Sequence, residues 1–391
     1  MVSKRIAYIY LFLCFLLSTK GILLQEGGII VVVINYLVMA MGLYYFALGL
    51  GNRFYRDIWP ILAVFILFVI YGIEFWYSGR SYYHYLTESY VPCNSYLLEI
   101  FSSFLPIFTV YFFVKKGVIN TRFLQISSLV LLASAIIEYF HIVQTKTAMM
   151  RGDELGFTVN AAYRFLRLLP LLLVWNKNKI IQLGLLGIIF IFIILSAKRG
   201  AILVLLLCAF YYFIYTIGKK FGVKHFALMI GLALVGYWFL DTEFSSNAYL
   251  QERMQNTLEG SYSGRDDIYL FFLAYLADNS DLTSILFGKG AFATVGLFGQ
   301  YAHNDWLEIA VNQGLLGIIF YIVFFIFLFK TYRHLSTNDS QYKPMMGLLL
   351  VILFATTFFS MSYSQLGLPV ALPLALCLNQ ANRNRNTFIR K

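Results

Sequence analysis

Charge is the first thing this chain lacks. Only 13% of its 391 residues are Asp, Glu, Lys or Arg, about half the share that covers the surface of an ordinary soluble domain. That excludes a soluble globular fold. Cysteine is scarce too. Of the four, Cys14, Cys208 and Cys377 sit in apolar runs and only Cys93 lies in a loop, which leaves no disulfide framework and no thiolate metal cluster. His84, His225 and His334 are scattered loop residues without metal-ligand spacing. Internal repeats, heptads and low-complexity tracts are absent, so neither a solenoid nor a coiled coil is indicated. No nucleophile elbow occurs. The glycine-rich stretch "FGKGAFATVG" lacks both the Walker spacing and its strand-to-helix setting.

What fills the space is hydrocarbon. Hydrophobic residues make up 60% of the chain, in runs long enough to cross a bilayer, about 20 residues each. The pattern predicts an all-α polytopic membrane protein with twelve spans, near 6–24, 29–50, 58–77, 97–114, 123–141, 157–175, 180–196, 200–217, 226–241, 306–329, 344–362 and 364–379. The first segment, Ile6 to Leu17, has no small-residue cleavage site after it and leads into another span, so it reads as retained. The net charge of +11 points to cytoplasmic loops rather than to nucleic acid. "GNRFYRD", "KKGVINTR", "NKNK", "KKFGVKH" and the basic tail all fall on one side and, with the N-terminal "SKR", carry most of the Lys and Arg. Both termini are therefore expected in the cytoplasm. Residues 1–391 read as a single membrane-embedded domain. Within it, residues 242–302 form one large outer loop, far longer than the links of about 2–8 residues that join helices in bundles. Inside that loop "GRDDIYLFFLAYLAD" (264–278) reads as an amphipathic helix lying on the membrane.

A few polar groups break these rules. Lys198 and Arg199, in "SAKRG", sit in a short outer turn against the charge bias. They are either cations snorkelling to headgroups or an anion site. In "YAHNDWLEIAVNQGLLG" (301–317), His303 stands at the lip of an apolar run. Taking the helix as continuous at 1.5 Å per residue and the hydrocarbon as beginning near Ala310 puts the imidazole at headgroup depth, roughly 10 Å above the core. Asn304 or Asp305 can cap that helix. The positive helix start favours the neutral imidazole able to accept a proton, whereas the carboxylates of Asp305 and Glu308 push the other way. Arg265 opens the surface helix, where an arginine is electrostatically misplaced unless it pairs with Asp266 or Asp267. Arg164 and Arg167 lie three residues apart, hence on one face, inside a span. Glu138 and His141 are their candidate partners.

These residues carry a resemblance. "HNDWLEIAVNQGLLG" resembles the signature of the bacterial O-antigen polymerase and O-antigen ligase superfamily, in its His–Asn pair, the Leu three residues after the Asn and the Gly-x-x-Gly beyond. "SAKRGAILVLLL" is similar to that family's Ser-x-x-Arg turn, "SGRDDIY" to its Gly-Arg motif, "LFGKG" to its Gly-x-Gly, and "LGFTVNAAYRFLRLLPLLL" to the start of a middle span. The matches run in family order from Gly156 to Gly317. The resemblance implies a metal-independent glycosyltransferase of the GT-C type without cofactor. It would be a multi-pass protein of the bacterial inner membrane with its active site on the periplasmic face, drawing on an undecaprenyl-diphosphate-linked oligosaccharide donor. His303 would be the general base, Arg199 and Arg265 would hold the diphosphate, and Lys198 and Asn304 would contact substrate. Arg164 and Arg167 lie outside the signature, and a substrate role for them is inferred from their place in a span. The expected activity is polymerisation of lipid-linked repeat units, with a chain-length regulator as partner. The alternatives are ligation of the polymer to lipid A–core and, from another class, a flippase or secondary transporter. A transporter would show inverted repeats around a midplane site. Here the unusual residues gather on one face.

Overall fold

The apolar runs become helices whose ends are set by identifiable residues. The computed structural model describes residues 4–18, 28–85, 88–149, 159–220, 265–278, 281–336 and 341–389. In chain order the first helices are α1 (Lys4–Ser18), α2 (Ile29–Gly51), α3 (Trp59–Ser78), α4 (Ser95–Lys115), α5 (Thr121–Met149), α6 (Ala162–Leu168), α7 (Lys179–Leu195) and α8 (Arg199–Lys220). Three short helices follow, α9 (Arg265–Asp278), α10 (Leu282–Phe287) and α11 (Ala293–Phe298), and then α12 (Asp305–His334), α13 (Tyr342–Thr356) and α14 (Gly367–Ile389). Pro60 opens α3, where its missing N–H costs nothing, and Asn178 caps α7 by accepting from the Ile181 N–H.

Among the described residues, five helical stretches are long and apolar enough to cross a membrane: 29–51, 54–78, 95–115, 121–147 and 305–334. Three shorter apolar helices accompany them, over 179–195, 199–215 and 342–356. The expected span over 226–241 and the loop residues 242–264 lie outside the described residues. The outward faces suit lipid. On α2, Ile34, Tyr45 and two glycines turn inward, while Ile30, Val33 and Leu37 stay exposed. Rows of this kind continue on α7 and α8. Water does not tolerate them and hydrocarbon does. At the centre lies α4, buried along most of its length and packed against α2, α3 and α14.

Three expectations need correction. The span at 157–175 is not one helix: α6 ends at Leu168, and Pro170, which lacks an N–H, begins a 3-10 segment running to Trp175. The span at 344–362 leaves the helix at Thr356, and 357–362 form a loop. Helix α12 is broken at Gly314, at φ 65° and ψ −158°, so the depth of His303 does not follow from a continuous rise. The all-α reading is otherwise kept, with one small sheet beside the helices. Tyr82–His84 (β1) and Ser89–Val91 (β2) form an antiparallel hairpin, with Tyr82 opposite Val91.

The break in α12 has a partner. Beyond Gly314 the helix no longer supplies donors for the carbonyls of Val311 and Asn312. They accept instead from the N–H groups of Lys289 (2.9 Å) and Gly290 (3.0 Å) in the "FGKG" loop. Tyr71 ties the same point from α3, donating to the Phe287 carbonyl at 2.5 Å. The glycine-rich stretch that lacked Walker spacing is therefore a splice for a broken helix.

Candidate functional site

The loop 357–362 is the floor on which the site is assembled, held through Thr357 and Ser362. The Asp305 N–H donates to the Thr357 carbonyl at 2.8 Å, and Trp306 Nε1 donates to Thr357 Oγ1 at 2.9 Å. The Asp305 carboxylate accepts from the Ser362 N–H at 2.7 Å and from the Tyr321 hydroxyl at 2.6 Å. The start of α12 is thus held to the loop by both backbone and side chain.

Two further elements reach the same loop. Arg265, at the head of α9, donates from Nη1 to the Phe359 carbonyl at 3.3 Å, and the Tyr163 hydroxyl of α6 donates to that carbonyl at 3.5 Å. The Tyr269 hydroxyl, one turn along α9, donates to the Phe358 carbonyl at 3.3 Å and meets the side chains of Asn304 and Arg265. The "SAKRG" turn docks beside them. The Val159 N–H donates to the Ser196 carbonyl at 3.0 Å, and Lys198 Nζ donates to Asn160 Oδ1 at 2.8 Å. Gly200 lies so close that a Cβ there would stand 2.7 Å from the Tyr163 hydroxyl and 3.2 Å from Phe359 Cβ.

His303 faces this assembly from a half-buried position in left-handed backbone, at φ 52°. Such a conformation is uncommon for any residue but glycine. Its neighbours hold it there. Asn304 accepts from the N–H groups of Trp306 and Leu307, capping α12, while Glu308 accepts from the Ala302 N–H at 2.6 Å. Glu308 also takes the Thr294 hydroxyl at 2.6 Å and the Asn312 amide at 3.1 Å, and it is fully buried. Glu308→Gln puts an amide N–H₂ where one of these donors now points. It should cost about 1–3 kcal/mol, read as a lower thermal midpoint of the purified protein. An unchanged midpoint would mean that the carboxylate does not hold the loop.

The electrostatics run in one direction. Burial, then the positive charges of Arg265 and Lys198, and then His84 push the His303 imidazole down to about 4. At neutral pH it is uncharged and free to accept a proton. Asp305 and Glu308, expected to pull the other way, are not among these influences; both are buried and hydrogen-bonded elsewhere. His84 was not legible as a neighbour. It sits on β1 with its ring 5.2 Å from that of Tyr301, and burial holds it below the ordinary histidine range.

The structure therefore gathers His303, Asn304, Arg265 and Lys198, with the backbone of Arg199 in the same docked turn. Arg164 and Arg167 do not share the cluster's hydrogen bonds, although the charge of Asp305 acts on Arg167. Arg164 forms an ion pair with Glu138, and Arg167 Nη2 donates to Gln365 Oε1 at 3.2 Å. The expected surface helix is present as α9, but it is apolar on both sides. Ile268 and Phe272 pack with Ala293, Ala302 and Val311, while Leu270 and Leu273 remain exposed.

Comparison with known proteins adds one finding. Residues 184–322 match the family model for O-antigen ligase, in agreement with the O-antigen polymerase and ligase superfamily. No curated protein sequence matches the chain significantly. The matched segment holds Lys198, Arg199, Arg265 and His303. Arg164, Arg167, His84 and the 357–362 loop fall outside it. The match supports an O-antigen ligase or polymerase type of function for a multi-pass membrane protein.

Proposed function

We propose that this chain is a surface-polysaccharide polymerase that moves a glycan from undecaprenyl diphosphate to the terminal sugar of a lipid-linked repeat unit. The observation that carries this reading is the convergence of His303, Asn304, Arg265 and Lys198 around the 357–362 loop, with the charges of Arg265 and Lys198 acting on the His303 imidazole. In the reaction, His303 takes the proton of the acceptor hydroxyl while that oxygen bonds to the anomeric carbon. The bond from the anomeric carbon to the diphosphate oxygen breaks, and its electron pair leaves with the diphosphate. Arg265, Arg199 and Lys198 meet that developing charge, in the manner that makes preorganised cations effective. The planar guanidinium fork matches phosphate oxygens in pairs. Asn304 fixes the helix start behind the base and lies within reach of substrate. Arg164 and Arg167 serve binding rather than chemistry. The reaction face is the periplasmic side of the inner membrane, where a lipid diphosphate and its glycan are presented, and a chain-length regulator would act alongside.

The description of the matched family favours one second reading, ligation of finished polymer to lipid A–core. The surface-glycan profile of a deletion strain separates the two. A single repeat on lipid A–core identifies a polymerase; bare core with lipid-linked polymer accumulating identifies a ligase; an unchanged profile removes both. Complementation with Arg199→Lys should restore little polymer, because a point charge does not replace the bidentate fork.

A further inference from the structure

A polymerase joins two lipid-linked molecules, so a chain that works as proposed above has two diphosphates to hold. The His303 cluster accounts for the one that leaves. The acceptor's own diphosphate lies a whole repeat unit away from the attacking hydroxyl, so it needs a station separate from the cluster yet connected to it.

Such a place exists. A partly open cavity of about 830 Å³ lies between α1, α2, α4, α5, α6 and the start of α14. It joins the cluster through Asn160, the partner of Lys198, and Tyr163, the neighbour of Arg265. One side is apolar, formed by Leu17, Val38, Met39 and Leu105. The other carries Lys146, Arg164 and Arg167 against the single carboxylate of Glu138. Arg167 is 3% exposed, and its Nε–H has no partner. A buried guanidinium with an unused donor is costly unless something completes it. An anion in the cavity would do so, and the apolar side would receive the hydrocarbon attached to it. Neither feature belongs to the matched family segment, which begins after Arg167.

We infer that this cavity binds the isoprenoid diphosphate of the acceptor, with Arg167 and Arg164 on the phosphates and the α1–α2 wall on the first isoprene units. The inference rests on the polymerase reading.

The test counts bound lipid. Full-length protein in nanodiscs of phosphatidylethanolamine is titrated with undecaprenyl diphosphate, and occupancy is read by native mass spectrometry. Wild type should take up two molecules per chain. Arg167→Gln should take up one. Val38→Trp fills the apolar side without removing a charge and should also take up one, so the test survives if Arg167→Gln does not fold. Arg265→Gln should retain the cavity molecule and lose the other. Saturation of wild type at one, two molecules in Val38→Trp, or equal displacement by phosphatidylglycerol would overturn the inference. Two molecules in Arg265→Gln, with one in Arg167→Gln, would keep the cavity site and instead remove the diphosphate role given to the His303 cluster.

Discussion

His303→Ala should lower glycan transfer by about 10²–10⁴-fold, the range that loss of a general base costs, with the protein still accumulating in the membrane. The pH profile makes the expectation specific. An ordinary histidine would give an acid limb near 6.5. His303 is held down to about 4 by burial and by Arg265 and Lys198, so the base form persists well below neutrality. The limb in kcat/KM, which reports the free enzyme, should therefore lie near 4, with activity falling as pH falls through it. In kcat the limb should move upward, because a bound diphosphate neutralises the two cations that depress the imidazole. Wild-type polymer from His303→Ala would remove the assignment, and an acid limb in kcat/KM at the ordinary histidine value would remove the electrostatic account.

Gly314→Ala should have the largest effect on folding. At φ 65° and ψ −158° the residue occupies backbone space that is essentially glycine's alone, and the strain there is about 1–3 kcal/mol. A steric term adds to it. A Cβ on Gly314 would stand 2.5 Å from the Gly288 nitrogen and 2.7 Å from the Ile285 carbonyl oxygen, and these are backbone atoms with nowhere to go. Gly288 is locked reciprocally, since its own Cβ would lie 2.4 Å from the Asn312 carbonyl carbon. The expected result is little or no accumulated protein, or a sharply lower thermal midpoint in detergent. Gly187→Ala serves as the control: nothing lies within 4 Å of a Cβ there, and it should be tolerated. Normal accumulation of Gly314→Ala would mean that the helix runs unbroken.

What the sequence made legible was the chemistry that violates a membrane pattern. Lys198, Arg265 and His303 stand out because charge at the edge of an apolar run needs a reason, and in the structure the charges of both cations act on the His303 imidazole. Charge bias and run length also exposed the polytopic helical class. Three things stayed hidden. The floor of the site, "TFFSMS" at 357–362, looked like the end of a span, because three of its six residues are apolar or aromatic, none is charged and nothing local stops the helix. His84 passed as a stray loop residue because its relation to Tyr301 and His303 is set by a hairpin docked far along the chain. The carboxylates of Asp305 and Glu308 looked like exposed polar groups at a lip, yet both are fully buried. Their surroundings come from Ser362, Tyr321, Thr294 and Ala302, and no spacing along one helix encodes that.

The split in α12 leaves its two pieces coupled. Residues 305–313 are clamped to the loop and to the glycine splice, while the apolar stretch after Gly314, long enough to cross a membrane, packs back on them through Tyr321, which donates to Asp305 and lies 5.3 Å from the Trp306 ring. A rod answers a thicker or thinner bilayer by tilting, and the buried Tyr321–Asp305 hydrogen bond would pass such a tilt to the clamped piece. Growth temperature and acyl-chain length, which change membrane thickness, should then be felt at the start of α12, beside His303.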